Sequence, residues 1–157
     1  MSDDETFLRE AIALARAGAA AGVGGPFGAV LVQEGRVIGR GQNRVTSSFD
    51  PTAHAEVVAL REACASLRQF HLRGATLYTS CEPCPMCLAA AYWSHVDRIV
   101  FAGTRADAAA AGFDDEFLYR ELALPPNARR LPVVPLLHAE GVIVFDEWRR
   151  LSGRIPY

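Results

Sequence analysis

Strands that alternate with helices along this chain predict a layered α/β domain. Three observations carry the prediction. Apolar residues recur at helical spacing from about Glu5 to Ala20. A strand–turn–strand unit follows at once, and short strands and helices then alternate to the end. The chain has 157 residues, the size of one ordinary domain, so residues 1–157 are read as a single one.

The elements follow in order. Phe7, Ala11, Leu14 and Gly18 form one helical stripe, with Leu8, Ile12 and Ala15 beside it. The acids come first, as a helix dipole prefers, and Gly22, Gly24, Gly25 and Pro26 end the run. Phe27 to Gln33 reads as a buried strand, Glu34-Gly35 as a turn, and Val37 to Asn43 as the returning strand of a hairpin. After a loop rich in Thr and Ser, Asp50-Pro51-Thr52 predicts a helix start, and that helix runs to about Leu67. Thr76 to Thr79 is a strand, Cys84 to Ser94 a helix opened by Pro83 and Pro85, and Arg98 to Ala102 a strand. Phe113 to Leu122 is a short helix. Pro132 to Leu137 is a proline-bearing edge strand, and Val142 to Leu151 a closing helix.

Composition narrows the function. Hydrophobic residues make up 50% and charged residues 22%, enough for a core and a soluble surface. The formal net charge is −2, which gives no support to a nucleic-acid partner. No apolar run approaches the length a bilayer needs. The first residues are acidic where a secretory signal is basic, so a cytoplasmic location is expected. Of four cysteines, Cys81, Cys84 and Cys87 lie in one short segment, too close for a disulfide framework. In a reducing compartment such a cluster points to metal or redox chemistry.

Two motifs carry that chemistry: His54-Ala55-Glu56 and Pro83-Cys84-Pro85-Met86-Cys87, each at a predicted helix start. Cys84 and Cys87 are three apart, so they share one helical face and can reach one ion. Zinc takes thiolate and imidazole ligands, and His54 supplies the third. Three protein ligands leave a fourth position for water, the mark of a catalytic rather than a structural zinc. Glu56 is not needed as a ligand and can take a proton from zinc-bound water and pass it on. The bland readings are a structural or redox Cys pair and a capping His. Their conjunction in this order is much rarer than either motif alone. An iron–sulfur motif needs a further Cys, and position 91 is Ala. Cys81 is expected to be a buried non-ligand, and Cys64 a core residue.

His-x-Glu followed by Pro-Cys-x-x-Cys is a recognised zinc deaminase signature, and the chain resembles the cytidine deaminase-like superfamily over nearly its whole length. Within it, Gly25-Pro26-Phe27-Gly28-Ala29-Val30, Gly112-Phe113-Asp114-Asp115 and the terminal Tyr157 resemble the bacterial guanine deaminases. The resemblance implies a three-layer α/β/α sandwich around a mixed five-stranded sheet. It implies one zinc per chain and hydrolysis of guanine to xanthine and ammonia, a step of purine catabolism or salvage. It also implies a homodimer that exchanges a C-terminal segment, about residues 142–157. Glu56 and Asp115 would be catalytic. Phe27, Asn43, Ala55, Trp93, Asp115 and Tyr157 would contact the base, with the tail closing a site as a lid. For Asn43 a turn-forming role at a strand end stays open, for Phe27 and Trp93 a core role, and for Asp115 a helix N-terminal role. The rival activities are guanosine deamination and tRNA adenosine deamination. The non-enzymatic rival is a zinc-binding module, against which Glu56 speaks.

Overall fold

The structure is a computed structural model and describes residues 3–157. Its chain divides into two compact units, one ending at Leu118 and the other Tyr119–Tyr157.

The first unit is built on a four-stranded mixed sheet in the order β2-β1-β3-β4. Helix α1 (Asp3–Ala20) starts with Asp3, Asp4 and Glu5 in its first turn. Strand β1 (Gly28–Gln33) pairs antiparallel with β2 (Arg36–Gln42) through a tight hairpin. Glu34 and Gly35 both have positive φ there, which gives the turn the twist that a two-residue hairpin needs. Strand β3 (Ala75–Cys81) pairs antiparallel with β1, and β4 (Arg98–Gly103) runs parallel to β3.

Alternation along β1 makes the layers. Val30 and Val32 face α1, packing with Ala11 and Tyr78 and with the partly buried Phe7, Leu8 and Leu14. Ala29 and Leu31 face the opposite side, where Leu77 meets Ala55, Ala59, Leu60 and Ala63 of α3 (Ala55–Leu67) and Ala91 of α4 (Pro85–Trp93). The unit is therefore an α/β/α sandwich. Asp4 ties its first layer to the sheet. It accepts from Tyr78 Oη at 2.7 Å and from Arg98 Nη2 at 2.6 Å. Burial, and then the bond to Asp4, pushes the Tyr78 phenol up to about 12.

The expected five strands are corrected to four among the described residues. Residues 132–137 form no regular element and join no ladder. Pro132 and Pro135 each lack the N–H that a ladder requires, and no strand lies beside the segment. The loop after β2 contains a short helix α2 (Val45–Ser48) that the sequence reading missed. Asp50 does not cap a helix. Its Oδ1 accepts from Thr52 N at 2.8 Å and Thr52 Oγ1 at 2.7 Å, closing a turn, and α3 begins only at Ala55. Helix α5 (Arg105–Ala110), opened by a capping box between Thr104 and Asp107, was also missed. Helix α6 (Glu116–Ala123) starts three residues later than expected and runs across the division between the units.

The second unit holds a 3-10 turn (Pro126–Ala128) and α7 (His138–Arg150), which starts earlier than the expected Val142. Arg129 Nε donates to the carbonyls of Glu121 and Leu124, and Arg149 pairs with Asp146. Helix α7 buries no residue. No helix among the described residues is long and apolar enough to cross a membrane.

Strand β2 and α3 meet backbone to backbone at Gly41. A Cβ there would lie 1.9 Å from the Ala55 carbonyl oxygen and 2.7 Å from Ala59 N. We expect Gly41→Ala to lower stability by about 1–3 kcal/mol, the usual scale for overpacking. Gly141→Ala, on α7 with open space around it, should be neutral or stabilising by up to about 1 kcal/mol. Urea unfolding of both variants checks the contrast; equal effects would mean that the β2–α3 approach is not tight.

Candidate metal centre and active site

Helices α3 and α4 both present their first turns to one point. His54 is the N-cap of α3 and Cys84 the N-cap of α4, both in extended backbone, and neither side chain caps its helix. That leaves both side chains for another partner. Pro85 opens α4 at a position where its missing N–H costs nothing. Cys87 follows three residues after Cys84, so the two thiols lie on the same side of the first turn. Strand β3 aims this turn: Glu82 N, one residue past its end, donates to Gly103 O at 2.8 Å. The carboxyl end of a parallel strand pair is the usual place for a ligand in such sheets.

His54 Nδ1 lies 3.5 Å from Cys84 Sγ and 3.5 Å from Cys87 Sγ, and the three ligand atoms fall within 4.8 Å of one another. A tetrahedral zinc with sulfur at about 2.3 Å and nitrogen at about 2.0 Å spaces such a pair by about 3.5 Å. The donor set and its spacing therefore fit zinc. The hydrogen bond from Cys87, then that from His54, holds the Cys84 thiol down at about 4. The same bond to Cys84, together with burial, pushes the Cys87 thiol up. His54 is raised, chiefly by Cys84, against its own burial. Zinc binds thiolate and neutral imidazole, so a cation held by these three residues would take the place of their protons.

Glu56, in the first turn of α3, is buried at 6% exposure and is not one of the clustered ligands. Burial is the main cause that raises its pKa, with the Cys84 charge adding to it. Beside these groups opens a cavity of about 370 Å³, a volume suited to a small planar ligand. Phe27 and Phe113 form one wall, their rings edge to face at 4.9 Å and 87°. Asn43 lines the cavity and is buried, with Oδ1 accepting from Gly25 N and Val45 N. Asp115 also lines it, half-buried, and desolvation followed by the Cys84 charge raises its pKa. The neighbouring Asp114 takes the helix role instead, accepting from Glu116 N at 2.9 Å.

The structure brings together His54, Cys84, Cys87, Glu56, Asn43, Asp115 and Phe27. It does not bring the remaining expected residues to this cavity. Ala55 is fully buried in the core under β1, so its methyl packs rather than lines. Trp93 ends α4, at the opposite end from Cys84, and is 66% exposed. Tyr157 belongs to the second unit and is exposed. Cys81 is a non-ligand at the end of β3, as expected, but half-buried and lining the cavity; burial pushes its thiol up to about 11. Sequence reasoning missed Glu82 and Phe113 as cavity residues, although Phe113 stands inside a quoted motif and Glu82 directly precedes one. Glu82 Oε2 accepts from Arg105 N at 3.0 Å and so joins the end of β3 to α5.

Comparison with known proteins adds four findings. The family model of the cytidine and deoxycytidylate deaminase zinc-binding region matches residues 1–103. The chain is 49% identical to the guanine deaminase of Bacillus subtilis (strain 168) over 153 residues, 98% of each chain, and its X-ray structure superposes with a TM-score of 0.95 at the same coverage. A tRNA-specific adenosine deaminase of the same organism is 43% identical over 101 residues, 64% of this chain and 62% of that one. A solved guanine deaminase from Nitrosomonas europaea is 33% identical with a TM-score of 0.67, covering 89% of this chain and 71% of that one.

The ligand geometry separates the cysteines. Cys84→Ala should lose stoichiometric zinc on purification, whereas Cys81→Ala should keep it. Metal content measured by mass spectrometry decides, and retention by the first with loss by the second would overturn the ligand set.

Proposed function

The chain belongs to the cytidine and deoxycytidylate deaminase family of zinc-binding proteins, and from that premise we propose that it hydrolyses guanine to xanthine and ammonia with one zinc ion per chain. One observation carries the reading: a buried, unligated carboxyl, Glu56, lies beside a His-Cys-Cys set and opens on a cavity of purine size.

His54, Cys84 and Cys87 hold the metal. Zinc, when bound, supplies a Lewis acid that lowers the pKa of water to about 7. Glu56 takes one proton from the water that attacks C2 and gives it to a ring nitrogen, then takes the second from the new C2 hydroxyl and gives it to the departing amine. The C2–O bond forms, the C2–N bond breaks, and the nitrogen leaves as ammonia rather than as the far poorer amide ion. Burial suits Glu56 to this exchange, because a raised pKa lets one carboxyl both accept and give back a proton. Asp115 accepts from the N–H groups of the guanine amidine edge and assists the amine as it departs. Phe27 packs on the ring and Asn43 bonds its edge.

The guanine reading is favoured over tRNA adenosine deamination because similarity to the guanine deaminase continues through the C-terminal unit, whereas similarity to the tRNA enzyme covers 64% of the chain. Residues 1–157 then act as one deaminase domain in the cytoplasm. In that domain we infer that the C-terminal segment, about residues 142–157, is exchanged between two copies of the chain. Two observations support this. Helix α7 buries nothing, and Val133, Val134, Leu136, Val144 and Phe145 are each more than half exposed. Tyr157 would then reach the partner's purine as part of a lid that excludes water.

Ammonia release from guanine, guanosine, adenine and cytosine tests the assignment. Guanine should be preferred, and Glu56→Gln should lose about 10²–10⁴-fold in kcat while keeping zinc. Comparable kcat/KM on guanosine would favour the nucleoside instead. Deletion of residues 154–157 should lower activity strongly and leave zinc content and thermal stability unchanged. Full activity after the deletion would remove the lid.

A further inference from the structure

Asn43 is a polar group of the cavity wall whose hydrogen-bonding sense is set by the backbone around it. Its Oδ1 accepts from Gly25 N–H at 3.1 Å and from Val45 N–H at 3.2 Å. A backbone N–H pairs only with an acceptor, so these two bonds decide which way the carboxamide faces. They also use both lone pairs of the oxygen. Nδ2 has no hydrogen-bond partner among the described residues. Asn43 is 7% exposed, yet among the described residues no side-chain nitrogen or oxygen that is sealed from solvent lacks a partner. Nδ2 is therefore not sealed, and it opens on the cavity that Asn43 lines. The amide offers that cavity two donor hydrogens and no acceptor.

Gly24 keeps the amide in place. A Cβ on Gly24 would lie 2.3 Å from the Asn43 carbonyl oxygen and 2.5 Å from Oδ1. Both are far inside contact distance, and the nearer atom is backbone, which cannot swing aside. Any side chain at position 24 must push Asn43 away and draw Oδ1 off its two N–H donors. The need is for space, not for an unusual backbone angle.

We propose that Gly24 is a positioning residue for base recognition: it holds Asn43 as a donor-only reader, so that the site selects a purine with a hydrogen-bond acceptor against Nδ2. The proposal rests on the purine deaminase reading and adds the polarity of one contact and the residue that maintains it. A 6-oxopurine carries acceptors at N3, N7 and O6. An amino group or C–H at the position read by Nδ2 leaves that donor without its bond to the base.

Hypoxanthine has no amine to lose, so its binding can be measured without turnover. Titration calorimetry of the zinc-loaded protein with hypoxanthine, 3-deazahypoxanthine, 7-deazahypoxanthine and purine deletes N3, N7 and O6 in turn. One deletion should weaken binding to the wild type by about tenfold or more, the scale of one net hydrogen bond. In Asn43→Asp, which preserves an acceptor for Gly25 and Val45 but replaces the donor, the same deletion should cost less than about threefold. Gly24→Ala should show the same collapse of that one ratio, with zinc content and thermal stability reported beside it; a merely structural role would weaken all four ligands alike. The proposal is overturned if the wild type shows no such penalty. It is equally overturned if Asn43→Asp keeps the wild-type ratios, or if a folded Gly24→Ala keeps them. Should Gly24→Ala not fold, Gly24 is a residue of the fold and its positioning role is overturned, while the wild-type and Asn43→Asp ratios decide the polarity of Asn43. Failure of the wild type to release ammonia from guanine is a separate result, which counts against the deaminase reading and not against the polarity of Asn43.

Discussion

The approach of β2 to the start of α3 is the contact on which the rest of the site depends. Gly39 and Gly41 let the strand lie against the helix backbone, where a Cβ would fall 2.5 Å from Ala59 O and 1.9 Å from Ala55 O. His54 and Glu56 flank Ala55, so this contact sets the height of both above the sheet. The same strand leads directly into Asn43. Asn43 N donates to Phe27 O, and Arg44 N donates to Ala53 O at 2.9 Å. One short stretch of backbone thus joins a group on the cavity wall to a metal ligand. A shift of β2 against α3 would change the distance between chemistry and recognition, and not merely loosen a layer.

That rigidity has an electrostatic counterpart. Glu56, Cys84, Cys87 and His54 lie within one small, largely buried volume, and such a group is costly unless the charges offset one another. The directions of their shifts show how the cost is divided. Cys84 is driven towards thiolate, Cys87 and Glu56 towards their protonated forms, and His54 towards imidazolium. Two helix N-termini favour the negative charge that remains. A divalent cation resolves the conflict among the ligands by taking the place of their protons. Glu56 is not among the clustered ligands, so such a cation would leave its carboxyl beside the metal without a bond to it.

Much of this was legible in the sequence, and the reasons are local. The hairpin at Glu34-Gly35 and the ligand motif are written in contiguous residues whose conformational demands are strong. The short helices were not legible. Val45–Ser48 is four residues of β-branched and polar side chains with no apolar period, and Arg105–Ala110 is held by a capping box rather than by a stripe. Asp50 carries a cap signal that its own turn with Thr52 consumes. Residues 132–137 have the apolar content of a strand, but a strand is defined by its neighbour, and sequence cannot supply one. Trp93 and Ala55 show the same limit at the site. Adjacency to a motif says nothing about which side of a helix faces the cavity.

Metal chemistry and base choice are separable in this chain. The His-Cys-Cys-Glu set is common to a family whose members act on different bases, and a tRNA adenosine deaminase relative is 43% identical where the two align. The ligand set alone therefore carries no information about the base. Phe113, Asp114 and Asp115 lie beyond the residues matched by the family model, and so does the whole second unit. Asn43 lies within the matched region, but its donor sense depends on Gly24, which makes no contact with the metal set. Gly24 is packed against Asn43, and Asp114 and Asp115 line the cavity after α5, so the parts of the wall that would meet a base are positioned by backbone rather than by the ion. Such an arrangement lets the base be changed while the proton chemistry at Glu56 stays as it is.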